Sequence, residues 1–287
     1  MKNKKIASIA ALLLASLSAS QAQTIAAWTF ENNSVAVNNS PAPSAGSGMA
    51  SSIGMNLYPT PNVGVTTDDV VLGKSSDTGA NGVADTTLTW RIRGQAGSNG
   101  AANGWSSAAP IGTQGAVFGA STVGTGFGGI NISFDWYSTT QGEANLQLEY
   151  TTDGSTWQNV PLTLSGSDTG LQVLSNSGSD TFTVTGSYIS DNILTGGAKA
   201  GQDWFTGLTA SITDPNAAND PNFAIEMVNA STGADDVSTQ GTALNNSSGN
   251  WRFDNIAITA VPEPSILAMT GLGLAGLIAF RKRNRKS

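Results

Sequence analysis

Ile130-Asn131-Ile132-Ser133-Phe134-Asp135-Trp136-Tyr137-Ser138 alternates without a break: Ile130, Ile132, Phe134 and Trp136 fall on one side and the polar residues on the other. A period of two is the signature of a β-strand with one face buried. Leu146-Gln147-Leu148-Glu149-Tyr150 repeats the pattern, and both segments read as central strands. Immediately after the second, Asp153-Gly154 sits in Thr151-Thr152-Asp153-Gly154-Ser155-Thr156-Trp157. Glycine accepts the positive φ that a tight turn needs, so this stretch predicts a hairpin.

The same reading extends in both directions. Ile25 to Glu31 places Ala26, Trp28 and Phe30 on one face, and Thr86 to Arg93 aligns Leu88, Trp90 and Ile92 with Arg91 and Arg93 opposite. Residues 32 to 61 carry Pro41, Pro43, Gly46, Gly48, Pro59 and Pro61. They predict a loop or meandering edge with at most one short strand, at Met55 to Tyr58. Further strands are expected at Gly115 to Thr122, Leu171 to Leu174, Asp180 to Tyr188, Trp204 to Ile212 and Asn222 to Asn229. In the last, Trp251 to Thr259, the apolar phase switches from Trp251 and Phe253 to Ile256 and Ile258, which predicts a β-bulge at Asp254-Asn255. With no helical period between the two ends of the chain, the expected fold class is all-β, an antiparallel two-sheet jelly-roll sandwich. One domain is more economical than two small sandwiches divided between residues 60 and 85, since neither a repeat nor a charged linker is visible.

The ends read differently. Met1-Lys2-Asn3-Lys4-Lys5, an apolar run from Ile6 to Leu17, and Ser20-Gln21-Ala22 have the order of a signal peptide over residues 1–22, with signal peptidase cutting between Ala22 and Gln23. The expected body is 23–260. Residues 261–287 hold three parts in series: the stiff Pro262-Glu263-Pro264, an uncharged run from Ile266 to Phe280, and the cations Arg281, Lys282, Arg283, Arg285 and Lys286. Prolines without N–H donors keep the first part extended. As a helix the 15-residue run would be roughly 22 Å long, short of the roughly 20 residues of a comfortable span. Snorkelling Arg and Lys side chains would close the gap, and the cations would stay on the cytoplasmic side.

This order resembles the PEP-CTERM sorting signal of bacteria that export surface and extracellular-matrix proteins. The resemblance covers residues 261 to 287. It implies recognition by an exosortase-type membrane protease, cleavage near Pro262-Glu263-Pro264, and transient anchoring by the C-terminal helix before release to the cell surface or matrix. It implies nothing about the body. Short phrases of the body, Phe-Asp-Trp at 134–136 and Trp-Arg-Phe-Asp-Asn at 251–255 among them, resemble extracellular jelly-roll modules of the carbohydrate-binding kind.

Composition narrows the chemistry of the body. Its only cations are Lys74, Arg91, Arg93, Lys199 and Arg252, five against 19 of the chain's 20 acidic residues (Glu263 lies in the tail), a difference of −14. Such a surface repels nucleic acid. Histidine and cysteine are absent from the chain, which removes Ser-His and Cys-His nucleophiles, His- or Cys-based metal sites, and disulfides. The expected function is an exported, exosortase-processed surface or exopolysaccharide-associated matrix protein with a non-catalytic body and no cofactor. Polysaccharide binding is the alternative, with Trp105, Tyr137 and Trp157 as stacking rings and Asp153 as a hydroxyl partner; Trp105, in the polar loop 94–114, reads more simply as a plug over the core. A structural calcium ion is expected, if anywhere, at Glu31, Asn32, Asp254 and Asn255, should the first and last strands pair. Catalysis would have to use a carboxylate pair drawn from Glu143, Glu149 and Glu226, although surface solvation accounts for the last two.

Overall fold

The computed structural model describes residues 22–34, 36–54, 69–72, 87–93, 104–124, 128–163, 172–176, 182–188, 204–246 and 249–261. Seventeen strands run through them: β1 (Gln23–Trp28), β2 (Ala36–Val37), β3 (Ala45–Gly46), β4 (Met49–Ile53), β5 (Asp69–Leu72), β6 (Leu88–Arg93), β7 (Trp105–Ser106), β8 (Gly115–Gly119), β9 (Gly129–Ser138), β10 (Leu146–Thr151), β11 (Gln158–Val160), β12 (Gln172–Asn176), β13 (Phe182–Tyr188), β14 (Trp204–Ile212), β15 (Ala224–Asn229), β16 (Asn245–Asn246) and β17 (Asn250–Val261). No α-helix occurs among the described residues.

The first sheet has the order β14-β9-β17-β6-β5-β2, with β1 beside the second half of β17 and β3 beside β1. The second has the order β13-β12-β10-β15-β8-β4, with β11 on β10. Pairing is antiparallel apart from the single β10–β12 contact at Leu146 and Val173. The alternating residues of both sheets meet in one buried cluster, as expected for a β-sandwich. Phe118 of β8 projects from the second sheet among Trp28, Trp90 and Phe253 of the first, with ring centroids 5.2, 5.6 and 5.9 Å away, all edge-on. Each such pair is worth about 0.5–1.5 kcal/mol beyond its area burial. At one side, Thr163 beyond β11 exchanges both backbone hydrogen bonds with Thr209 of β14, so the two sheets join there.

β9 and β10 take the expected places and phase. Ile130, Ile132, Phe134 and Trp136 are buried, as are Leu146, Leu148 and Tyr150. Gly154 has φ 74° in the turn between β10 and β11, the conformation the Asp-Gly pair predicts. The bulge in β17 is real: register shifts between Asp254 and Ala257, and Asn255 adopts φ 49°. It returns Ile256 and Ile258 to the face of Trp251 and Phe253, and all four are buried.

Two expectations need correction. The stretch 32–61 holds three short strands, β2, β3 and β4, rather than at most one; β4 pairs with β8 along five residues. Its Gly and Ser residues give no apolar period, so the pairing comes from the partner strand. The first strand ends at Trp28, because Phe30 turns away at φ 61° while its ring stays in the core. The strand expected at 55–58, the signal segment before residue 22 and the tail from 262 onward lie outside the described residues.

Candidate functional site

The ring candidates of the sequence are mostly buried. Trp105 is fully inaccessible, with its ring 4.5 Å from that of Trp251, and closes one end of the core. Tyr137 does leave the Phe134/Trp136 face, but Trp204 covers it at 5.5 Å and the Arg252 guanidinium lies 5.6 Å from its centroid. Trp157 alone is half-exposed. Asp153 is exposed and occupied with its own turn: Oδ1 accepts from the N–H groups of Ser155 and Thr156 at 2.7 and 2.6 Å, which holds its carboxyl well below the usual range.

The first and last strands pair, Trp28 opposite Ile256. The four oxygen-bearing residues expected to converge there are each engaged with other groups. Glu31 Oε1 accepts from the Leu88 N–H at 2.6 Å, and Asn32 Nδ2 donates to the Pro43 carbonyl. Asp254 is buried and accepts from the Asn255 N–H, while Asn255 Nδ2 donates to Asp135 Oδ2 at 3.1 Å. Among the described residues no group of three or more Asp or Glu converges in a form that could hold a metal. Ala22 is exposed and Gln23 opens β1.

The three glutamates form two carboxyl pairs. Glu149 of β10 stands directly opposite Glu226 of β15, on the face turned away from the core. Their carboxyls hydrogen-bond to each other. A polar line crosses three strands: Asn159 Nδ2 donates to Gln147 Oε1 at 3.2 Å, Gln147 Nε2 donates to Glu149 Oε1 at 3.1 Å, and Glu149 meets Glu226. Burial, then the neighbouring Glu149, pushes the Glu226 carboxyl up to about 9; burial raises Glu149 as well. At neutral pH Glu226 therefore keeps its proton and can donate it to Glu149. Plain surface solvation does not describe Glu226, which is 4% exposed, whereas Glu149 is half-exposed.

Beside β11 a cleft of about 550 Å³ is lined by Tyr150, Gln158, Asn159, Pro161, Asp214 and Asn216 among others. The Tyr150 hydroxyl lies 3.1 Å from both Gln158 Oε1 and Asp214 Oδ2. Burial and then Asp214 raise its pKa.

Glu143 has a different partner. The segment after β9 runs beside the segment after β15, with the Ala144 N–H on the Val237 carbonyl and the Thr239 N–H on the Gly142 carbonyl. That brings the carboxyls of Glu143 and Asp236 within hydrogen-bonding reach. Both side chains are inaccessible, 0% and 1% exposed. Glu143 Oε1 accepts from the Asn145 N–H at 2.7 Å, Asn145 Nδ2 donates to Ser231 Oγ at 3.0 Å, and Ser231 Oγ lies 3.4 Å from Asp236 Oδ1. Glu143 Oε2 and Asp236 Oδ2 are buried with no donor for either. Burial is the largest cause raising both carboxyls, and for Glu143 the charge of Asp236 adds to it. Asp236, Ser231, Asn145, Gln147 and Asn159 carry no periodic or motif signal in the sequence; only the off-phase position of Gln147 beside Glu149 hinted at a polar face.

No curated protein matches the chain. A family model does match its end: residues 260–284 fit the PEP-CTERM protein-sorting motif. The match starts at Ala260, still inside β17, so the folded body leads directly into the segment that is read. The chain thus carries a PEP-CTERM protein-sorting motif, which supports an exported, exosortase-sorted protein.

Proposed function

We propose that the chain is a surface or extracellular-matrix protein, associated with exopolysaccharide, whose jelly-roll body is non-catalytic. The observation that carries this reading is the sorting motif joined without a spacer to the last strand of a well-packed sandwich. In this reading signal peptidase removes residues 1–22, the run 266–280 holds the chain in the membrane, and an exosortase-type protease cuts near Pro262-Glu263-Pro264. Among the described residues no helix is long and apolar enough to cross a membrane, and 266–280 lie outside them. Grafting residues 261–287 onto an exported reporter, in a host that has the protease, tests the sorting. The reporter should be trimmed and delivered to the surface; handling identical to an untagged control would contradict the reading.

Polysaccharide binding is the second reading, supported by the exposed Asn159 and the half-exposed Glu149 on the outer face of the second sheet, which the buried Gln147 and Glu226 hold in line. Amides and carboxyls set in a row along a rigid sheet suit sugar hydroxyls. A glycosidase is less well supported. Retaining and inverting enzymes hold their two carboxyls at least about 5 Å apart to leave room for the reacting atoms, whereas Glu149 and Glu226 hydrogen-bond to each other. Retention of the full chain on insoluble polysaccharides separates matrix component from binding module, and release of reducing ends would reveal an enzyme.

A further inference from the structure

We propose that Glu143, Asp236 and Ser231 form an internal site for a hard divalent cation, with calcium the ion that fits its ligands. Two buried carboxyls face one another, and Glu143 Oε2 and Asp236 Oδ2 each lack a hydrogen-bond donor. An acceptor oxygen left unpartnered in a dry interior costs about 1–3 kcal/mol, more when charged. Either a shared proton or a cation must sit between the two groups.

The surroundings favour the cation. Lys and Arg are absent from the described buried residues, so none of these supplies a counter-charge. Glu143 Oε2 and Asp236 Oδ2 are unclaimed, whereas Glu143 Oε1, Asp236 Oδ1 and Ser231 Oγ are hydrogen-bonded within the cluster around them, and a divalent ion cancels the charge of the pair. Calcium accepts six to eight oxygens at about 2.3–2.6 Å in flexible geometry, whereas magnesium sheds its water reluctantly. A closed pocket demands that shedding. Export also matters: extracellular modules bind calcium with Kd values of about 10⁻⁴–10⁻³ M, matched to their surroundings. Because the site forms only when residues 231–239 lie against 142–145, the ion would be captured as these segments fold together.

The site is distinct from the calcium site expected at Glu31, Asn32, Asp254 and Asn255, and it has a built-in reporter. Trp251 Nε1 donates to the Glu143 carbonyl at 2.8 Å, and the Trp105 ring packs tilted against Trp251. Terbium, a calcium mimic, should therefore show tryptophan-sensitised luminescence when it binds.

The test uses the full chain in detergent at pH 8. Calcium at 10 mM should raise Tm over the chelated protein by about 5 °C or more, with magnesium much weaker. Terbium luminescence should saturate at one ion per chain and be displaced by calcium. Glu143→Gln and Asp236→Asn should both abolish the signal. Glu143→Gln should still fold, since its amide can donate to Asp236 where the ion sat. No calcium-dependent Tm shift would overturn the proposal in favour of a shared proton. Luminescence that survives in both variants would overturn it in favour of ions scattered over the acidic surface.

Discussion

Glu143 with Asp236 and Glu149 with Glu226 are both carboxyl pairs, and their first members flank the start of β10. They end in different conditions. Glu149 and Glu226 are locked by strand register on the outer face, where amides from Gln147 and Asn159 continue the line. Glu143 and Asp236 meet through loops, under cover, with one oxygen of each left without a donor. The cost of two adjacent carboxyls thus depends on who else can reach them: a proton and polar neighbours suffice at a face, whereas a closed end needs a counter-charge.

Truncation should separate the pairs most clearly. Glu143→Ala removes the acceptor of the Asn145 N–H and strands Asp236, at a cost of about 3 kcal/mol in urea unfolding. Glu149→Ala, half-exposed, should cost about 1 kcal/mol or less. Equal costs would erase the distinction.

Acidity gives the next largest effect. A carboxyl whose folded pKa is raised binds its proton more tightly in the folded chain, so its contribution is fully present below the unfolded value of 4.5 and is lost as pH rises through the folded value. For Glu226 that window runs from 4.5 to about 9. In chelator, Tm should fall as pH rises from 5 to 9; Glu226→Gln should flatten part of the fall, and Glu143→Gln another part. A pH-independent Tm would mean that neither pair holds a proton. Calcium should restore stability at the alkaline end in a chain with Glu143 intact.

Smaller still, Asn159→Ala cuts the end of the polar line and should reduce retention on any polysaccharide that the chain binds, with Tm nearly unchanged. Loss of Tm without loss of retention would make the line structural. The smallest effect belongs to Asp153→Ala. Its lowered carboxyl stabilises the hairpin above its unfolded value of 3.8 and the contribution fades as pH falls. The variant should therefore differ from the parent at pH 7, and the difference should narrow as pH falls below 3.8.

Period-two order made the sandwich legible. It placed β6, β9, β10, β14 and β15 within a few residues, and the phase break in Trp251 to Thr259 revealed the bulge at Asn255. β3 and β4 were not legible because Ala, Gly and Ser carry no alternation of their own. The sites failed for a related reason. An aromatic ring in a loop, as at Trp105, reads the same whether it plugs a core or waits for a sugar; only the 4.5 Å contact with Trp251 decides. Nothing local links Glu143 to Asp236, because loop closure brings them together. Pro262-Glu263-Pro264 and its cationic end were legible in full, since a segment read by an enzyme must display its chemistry in sequence order.

Export followed by trimming of the tail underlies every role proposed for the body, and the intact mass of the chain recovered from an exosortase-bearing host measures it. The parent should have lost the mass of the tail beyond the Pro262-Glu263-Pro264 region, and a variant with Pro262, Glu263 and Pro264 all changed to alanine should keep it and stay in the membrane fraction. Identical masses and identical fractionation for the two would contradict the sorting of this chain by its end.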